Sequence, residues 1–245
     1  MTGVTLLGWA AWAPNLEDEA AWRAWCEAPA PIPSVGAPDV GFLPLMLRRR
    51  CDLLSRMMLE VTQRCVESTH VDRAKLASVF ASRHGSFATA ISLLEDVARG
   101  EATSPARFSH SVHNAQAGLF SIWALNRHAS TALAAGPETF VAGFLESLAM
   151  LQREPLPVLF VVGDEAIPEA VRSISDHAPP PHALALLLAD QGEGGRLNLR
   201  LDASGPSETR ADTWPNALAF LRWWLSSEPR LELVHSPRRW IFERG

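Results

Sequence analysis

Short runs of apolar residues alternate with segments of helical periodicity along most of this chain. The clearest run is PVLFVVG at residues 157–163, and LASVFAS at residues 76–82 has the same character. A continuous apolar run of this length is typical of a strand that is covered by helices on both faces. Further strands are predicted at Val4 to Trp9, at Ser130 to Ala135, and in a pair, His182 to Ala189 and Arg196 to Leu201, joined through Gly192, Gly194 and Gly195. The alternation predicts an α/β fold with a parallel or mixed sheet.

The segments between these runs predict helices. Within residues 51–68, apolar side chains recur at helical spacing, which indicates a buried helix face. Gly100 is the expected residue just beyond a helix at Ser86 to Arg99, because glycine adopts a positive φ without strain. The other predicted helices are Leu16 to Ala28, with Asn15 or Asp18 near its cap, Asn114 to Arg127, Glu138 to Gln152, Ile167 to Asp176 and Trp214 to Ser226.

Composition excludes several classes of partner and cofactor. The formal net charge is -5 and no extended basic block occurs, which argues against nucleic-acid binding. No window reaches the roughly 18 apolar residues of a membrane span. The three cysteines, Cys26, Cys51 and Cys65, match no metal or redox spacing. We therefore expect a cytoplasmic protein with no membrane span, no bound metal and no cofactor.

The segment FSHSVHNAQAGLFSI, residues 108–122, is the best candidate for a functional site. It places two histidines, two hydroxyls and two amides immediately before an apolar helix. Backbone N–H groups at a helix N-terminus favour an anion or a nucleophile. The alternative is an ordinary helix cap formed by Asn114, with His110 and His113 bonded locally. Both interpretations remain open at this point.

Two other chemistries for this segment are weak. A hydrolytic pair of Ser111 with His113 lacks a third, orienting acid, and residues two apart point in different directions. A metal site made from His84, His110 and His113 lacks an acidic ligand at a familiar spacing.

The motifs in the first two thirds of the chain resemble the β-ketoacyl-synthase-like N-terminal domain family. They are SVHNAQAG, preceded by SRHG at residues 82–85 and RGEATSP at residues 99–105, and the segment LPLMLRRR followed by a long helix. The resemblance covers roughly residues 5–190 and extends to the chain-length-factor-like proteins of aryl polyene gene clusters. It implies an α/β fold of the thiolase-like type, namely the N-terminal half of a ketosynthase, with a mixed five-stranded sheet flanked by helices.

The resemblance implies a catalytically silent site. Active ketosynthases carry a nucleophilic Cys at this strand–turn–helix position, and matching QAG to chain length factors places Gln116 there, with His113, Asn114 and Gly118 as neighbours. A neutral amide is not acylated under mild conditions, and no cysteine follows Cys65. The second half of a ketosynthase, with its two assisting histidines, has no counterpart among these residues. No catalytic residue is therefore predicted.

The resemblance also implies where a partner would bind. Ser130 and Ala132 belong to the strand that pairs across the ketosynthase two-fold axis. Ser86, Thr89 and Leu93 share one helix face and fall where chain length factors place side chains that gate the acyl tunnel. The alternative for this stripe is buried core.

The function predicted from the resemblance is that of a chain length factor. It would form a heterodimer or heterotetramer with a full-length β-ketoacyl-ACP synthase, shape its acyl tunnel, and meet the acyl carrier protein only indirectly. The alternatives are a malonyl-ACP decarboxylase of the Gln-substituted type and a purely structural subunit. Residues 1–202 are expected to form the thiolase-like domain, residues 203–213 the best linker candidate, and residues 203–245 a Trp-rich helical extension packed on that domain or on the partner.

Overall fold

One mixed sheet of eight strands organises the molecule. The computed structural model describes residues 2–153, 155–168, 171–172, 178–202, 214–235 and 237–245. The order across the sheet is β3-β2-β4-β5-β1-β6-β8-β7. Strands β2, β3 and β4 run parallel to one another, and the remaining neighbours pair antiparallel. The strands are β1 (Thr2–Trp12), β2 (Ala77–Ala81), β3 (Ser130–Leu133), β4 (Val158–Asp164), β5 (His182–Ala189), β6 (Gly195–Asp202), β7 (Arg230–His235) and β8 (Arg238–Arg244).

Eight α-helices among the described residues cover the sheet. Asp18 and Asp52 cap the first and third of them, because each carboxylate accepts a hydrogen bond from a backbone N–H of the first turn. A short 3-10 turn, Gly136–Glu138, precedes the seventh helix. The helices are α1 (Glu19–Glu27), α2 (Leu45–Arg48), α3 (Leu53–Thr69), α4 (Phe87–Ala98), α5 (Pro105–Ser111), α6 (Ala115–Ala124), α7 (Thr139–Arg153) and α8 (Asn216–Leu225).

The two apolar central strands divide the interior into two cores. Along β4, Val158, Phe160 and Val162 point to one core, whereas Leu159 and Val161 point to the other. The first core is shared with α1, α7 and α8, and the second with α3 and α6. Because helices cover both faces, every residue of β4 and β5 is buried, which explains why the sequence shows no polar alternation there.

A bulge in β1 exchanges the faces to which its side chains point. The register with β5 shifts between Leu6 and Gly8. Before the shift, Val4 and Leu6 lie in the first core, and after it Trp12 lies in the second. One extra residue reverses the inward and outward positions of a strand, so a single apolar period could not describe all of β1.

The predicted mixed sheet with flanking helices is confirmed, but the predicted count of five strands is wrong. The prediction that residues 182–189 and 196–201 pair with each other is also wrong. Strand β1 lies between β5 and β6 and pairs antiparallel with both. The eleven residues of β1 fill that place, so the glycine-rich segment connects two strands that are not neighbours.

The end of the chain is part of the same sheet. Strands β7 and β8 pair with each other and β8 pairs with β6, so the Trp-rich extension that was predicted as helical contains two strands besides α8. Glu138, just before α7, accepts hydrogen bonds from Trp240 Nε1 at 2.9 Å and Arg238 Nε at 3.0 Å. The strand pairing and these bonds hold the hairpin on the rest of the fold. The division of the chain near residue 202 stays a prediction, because residues 203–213 lie outside the described residues.

The predicted helix at Ile167 to Asp176 falls largely on residues outside the described part of the chain, so it stays a prediction. A helix that was not predicted, α5, lies between the predicted helices at Ser86 to Arg99 and Asn114 to Arg127, and it begins at Pro105 with Ser104 as its cap. Proline is favoured in the first turn of a helix, where no partner is needed for its missing N–H.

Candidate functional site

A buried polar cluster lies where three helices begin at the carboxyl ends of β2 and β4. Gln116, in the first turn of α6, is only 3% exposed. Its amide Nε2 donates to Ser86 Oγ at 3.0 Å and is 3.3 Å from Ser55 Oγ. Ser86 stands at the start of α4, and Ser55 lies in the first turn of α3. The Gln116 side chain therefore ties together the N-terminal ends of α3, α4 and α6.

Glu165, directly after β4, joins two of the same helix ends. Its Oε1 accepts from the Leu54 backbone N–H at 3.0 Å, and its Oε2 accepts from the Ala88 backbone N–H at 3.2 Å. These N–H groups belong to the first turns of α3 and α4, which lack intrahelical acceptors. Burial nevertheless raises the pKa of Glu165 to about 7, with the nearby Asp52 and Asp164 carboxylates adding to the rise.

Asp164, the last residue of β4, fixes the turn that follows β2. Its Oδ1 accepts from Ser82 Oγ at 2.8 Å, and from the backbone N–H groups of Arg83 at 2.9 Å and His84 at 3.1 Å. His182 lies directly opposite Asp164 in the antiparallel register of β4 and β5. Burial lowers the pKa of His182, although the Asp164 charge opposes that change.

Asp52 brings a third carboxylate toward this cluster. Its Oδ1 caps α3 by accepting from the Ser55 N–H at 2.8 Å. Its Oδ2 is buried and has no hydrogen-bond partner among the described residues. The cluster thus holds three carboxyl groups, and two of them, Asp52 and Glu165, accept from N–H groups in the first turns of helices, where the backbone dipoles favour negative charge.

The sequence-predicted neighbours of Gln116 lie around this cluster but do not all contribute to it. The ring of His113 lies against Gly85, where an added Cβ would come within 3.3 Å of Nδ1. Gly85 has a φ of +65°, so both the backbone conformation and the close ring favour glycine there. Asn114 precedes α6 without a side-chain capping bond among the described residues, and an added Cβ at Gly118 would point into open space.

The predicted tunnel stripe on α4 changes in burial along the helix. Ser86 and Leu93 are buried, whereas Thr89, between them on the same face, is half-buried. Ser86 contacts Gln116 directly, so the stripe begins at the buried cluster. Thr89 is the member whose side chain is available to a neighbouring molecule.

Strand β3, which carries Ser130 and Ala132, is an edge of the sheet. It pairs with β2, and no other described strand pairs with it. Ser78 N–H donates to Ala129 C=O and Ser82 N–H donates to Leu133 C=O, which places the odd-numbered residues in the ladder. In a parallel ladder the alternate residues face the other way. The backbone groups of Ser130 and Ala132 therefore face the open edge.

Exposed apolar side chains lie on three successive helices, of which α6 contacts β3. Helix α6 contacts β3, α5 contacts α6, and α4 contacts α5. Each of these helices exposes large apolar residues, which are Leu94 and Val97 on α4, Phe108 on α5, and Ile122 on α6 with Leu125 at its end. Exposed apolar groups on neighbouring elements are typical of a protein-interaction surface.

The acidic residues of the site were not predicted from the sequence. Asp164 accepts hydrogen bonds from the turn after β2, and Glu165 accepts them from the first turns of α3 and α4. Neither residue was among the predicted ones. The available signal was a pair of acids immediately after the most apolar strand, PVLFVVG, because buried carboxylates at that position need helix N–H partners.

Two alternative chemistries find no support in the geometry. The hydroxyl of Ser111 donates to the Phe108 carbonyl at 2.9 Å, within its own helix turn. Within the described ranges no group of three or more His, Cys, Asp or Glu side chains is placed to hold a metal ion.

Burial raises the pKa of the Cys65 thiol to about 12 and that of Cys51 to about 11, so both stay protonated at neutral pH.

Comparison with known proteins identifies the family and the fold of this chain. The family model described as the β-ketoacyl synthase N-terminal domain matches residues 22–243. The chain belongs to this family, as its motifs predicted. Its fold is the thiolase-like ketosynthase fold, with a mixed sheet and flanking helices. No curated protein matches the chain.

Among solved structures, the chain is similar over its whole length to one from Xenorhabdus doucetiae. That structure is the ketosynthase ApeO in complex with its chain length factor ApeC, with 28% identity, full coverage of both chains and a TM-score of 0.86. The ishigamide ketosynthase/chain length factor matches 82% of this chain and 68% of its own, with 16% identity and a TM-score of 0.61.

A third similar structure contains a carrier protein. It is AntDE:AntF, a type II polyketide synthase acyl-carrier protein in complex with its ketosynthase bound to the hexaketide. It matches 82% of this chain and 69% of its own, with 11% identity and a TM-score of 0.64. At this identity the likeness shows the fold alone. None of the helices in the described part of this chain is both long and apolar enough to cross a membrane.

Proposed function

We propose that this chain is a chain length factor, a subunit without a nucleophile that pairs with an active β-ketoacyl-ACP synthase and shapes its acyl tunnel. The open edge of β3 beside exposed apolar helices carries this proposal. The full-length similarity to a chain of a ketosynthase–chain length factor complex supports it.

The buried cluster supports the absence of a nucleophile. Where active family members carry a cysteine, Gln116 fills the site with an amide that is held by two serine hydroxyls. An amide nitrogen of this kind is neither acidic nor nucleophilic, so it cannot form a thioester-like intermediate. The role of the residue is then to close the site and to connect three helices.

Assembly is tested first through the backbone of β3. In Ala132→Pro the N–H that faces the open edge is lost, whereas the neighbouring ladder bonds to β2 belong to the odd-numbered residues. Co-expression with a full-length ketosynthase and native mass spectrometry should show a heterocomplex for the wild type and its loss for Ala132→Pro. Ala132→Val keeps the N–H and is the matched control. A wild type that never binds a ketosynthase would contradict the proposal.

Chain-length control is tested at the half-buried position of the α4 stripe. Thr89→Trp adds bulk at the side that faces a neighbouring molecule, and it should shorten the product of the reconstituted pair. Thr89→Ser removes one methyl group and is the control. If the complex is stable and the product length is unchanged, the chain is only a structural subunit of the pair. Release of CO2 from malonyl-ACP by the isolated chain would instead favour a decarboxylase.

A further inference from the structure

A separate cavity of about 600 Å³ lies between α1, α8 and β7. Ligand-binding cavities in proteins commonly enclose about 300 to 1,000 Å³. The buried cluster around Gln116 lies at the N-terminal ends of α3, α4 and α6, so this cavity shares no helix with that cluster.

One face of α8 forms a wall of the cavity. Ala219, Arg222 and Trp223 follow the spacing of a single helix face and all line it, and Ser226, the C-cap residue, lines it just beyond the helix. The opposite wall is β7, through Leu231 and Val234 among others. The lining combines six apolar side chains with five polar ones, and four of the polar side chains are charged, namely Arg222, Glu228, Arg230 and Glu232.

Two indole rings of the lining are held in place by their neighbours. Trp214 packs edge-on against Trp25 of α1, with ring centroids 4.8 Å apart. Trp223 is buried, and the guanidinium of Arg244 lies 5.4 Å from its ring centroid. Rigid aromatic walls reduce the ordering that a ligand must impose when it binds.

The charges in the cavity are unequally compensated. Arg230 is paired with Glu232 at 2.9 Å. Arg222 and Glu228 are both exposed, and Arg222 has no hydrogen bond or ion pair within the described part of the chain. Burial raises the pKa of the Cys26 thiol to about 11, and the Arg222 charge opposes that rise, so the cation acts on the part of the cavity that Cys26 lines.

We propose that this cavity binds a small amphipathic anion, whose aromatic or other apolar body lies against Trp214 and Trp223 and whose carboxylate or sulfonate meets Arg222. A planar guanidinium without a partner is well suited to a carboxylate, because it donates two parallel hydrogen bonds. Binding of such an anion is independent of the proposed role in chain-length control.

Two fluorescent probes of similar shape test the proposal. The anionic probe is 1-anilinonaphthalene-8-sulfonate, and the neutral probe is N-phenyl-1-naphthylamine. Both should bind the wild type with saturation at one molecule per chain. Arg222→Gln should weaken binding of the anionic probe about tenfold, the loss of one charge-assisted interaction, and leave the neutral probe unchanged. Ala219→Phe, which fills the cavity, should abolish binding of both.

Modification of Cys26 gives a second measurement that does not depend on a variant. Cys26 lines the cavity and is partly exposed, whereas Cys51 and Cys65 are buried. At a concentration of the anionic probe five times its Kd, N-ethylmaleimide should modify Cys26 about sixfold more slowly, by simple occupancy. Unchanged modification, or an Arg222→Gln chain that binds the anionic probe as the wild type does, would overturn the proposal.

Discussion

The buried carboxyl of Glu165 makes a quantitative prediction about stability and pH. Its pKa is raised from an ordinary value of 4.5 to about 7, chiefly because the group is only 4% exposed. At 1.36 kcal/mol for each pH unit, that difference corresponds to about 3 kcal/mol. Glu165→Gln removes the titration and retains the shape of the side chain.

The sign follows from proton binding in the two states. Below about pH 4.5 both the folded and the unfolded chain hold this proton, so Glu165 contributes no pH dependence. Between 4.5 and about 7 the folded state keeps the proton while the unfolded state releases it, so the free energy of unfolding falls as pH rises. Above about 7 the loss is complete.

The free energy of unfolding of Glu165→Gln, relative to that of the wild type, therefore increases as pH rises. From pH 4 to pH 8 the difference in unfolding free energy, Glu165→Gln minus wild type, should increase by about 3 kcal/mol. Urea unfolding followed by tryptophan fluorescence at four pH values measures it. Glu17→Gln, which removes an exposed carboxylate, is the control and should follow the wild-type profile.

Two outcomes would contradict a raised pKa of Glu165. If the difference between Glu165→Gln and wild type stays constant from pH 4 to pH 8, then the Leu54 and Ala88 N–H groups stabilise the carboxylate enough to cancel its burial. The pKa of Glu165 would then lie near its ordinary value. A difference that decreases with pH would reverse the sign and place the pKa below that value.

Three further predictions concern side chains that join elements. Gln116→Ala should lower the unfolding free energy by about 2 kcal/mol, through two lost hydrogen bonds, and leave ketosynthase binding intact; lost binding would make Gln116 part of the interface. Arg244→Lys should lower it by about 1–2 kcal/mol in urea unfolding, because lysine cannot donate to three carbonyls of the α8 end while it stacks on Trp224. A double-mutant cycle of Glu138→Ala and Arg238→Ala should give a coupling of about 1 kcal/mol that decreases in 1 M salt; additive effects would show that the pair is not coupled.

Much of the fold was predictable because its central strands are buried on both faces. The strands β2 and β4 appear in the sequence as uninterrupted apolar runs, and α3 appears as a helical stripe. Their pairing was less predictable. Nothing local indicates that β1 lies between β5 and β6, because pairing partners so distant in sequence are selected by the packing of the whole sheet.

The sequence of the C-terminal hairpin contains strand patterns that the prediction of a helical extension did not use. Leu231 and Leu233 alternate with the charged residues Arg230 and Glu232, and the apolar run Trp240, Ile241 and Phe242 is bounded by charged residues on both sides. Both patterns are typical of strands, here an antiparallel pair. Tryptophan-rich composition alone did not distinguish that pair from a helix.

The site was predictable only in part, because hydrogen bonds between distant segments define it. The motif around Gln116 marks the right helix, but Ser55 precedes it by 61 residues and Glu165 lies 111 residues beyond Leu54. Partners this far apart leave no common local pattern. The carboxylates were accordingly found only in three dimensions.

The place of β1 in the sheet has a consequence for biosynthesis. Residues 2–12 are made well before their partner strands, because the strands on both sides of β1 are not complete until residue 202 has been made. At about 5–20 residues per second, β1 waits roughly 10–40 s with both of its edges unpaired. During that interval an apolar strand is exposed to self-association, so the yield of folded protein should depend on translation rate and on chaperones that bind extended chains.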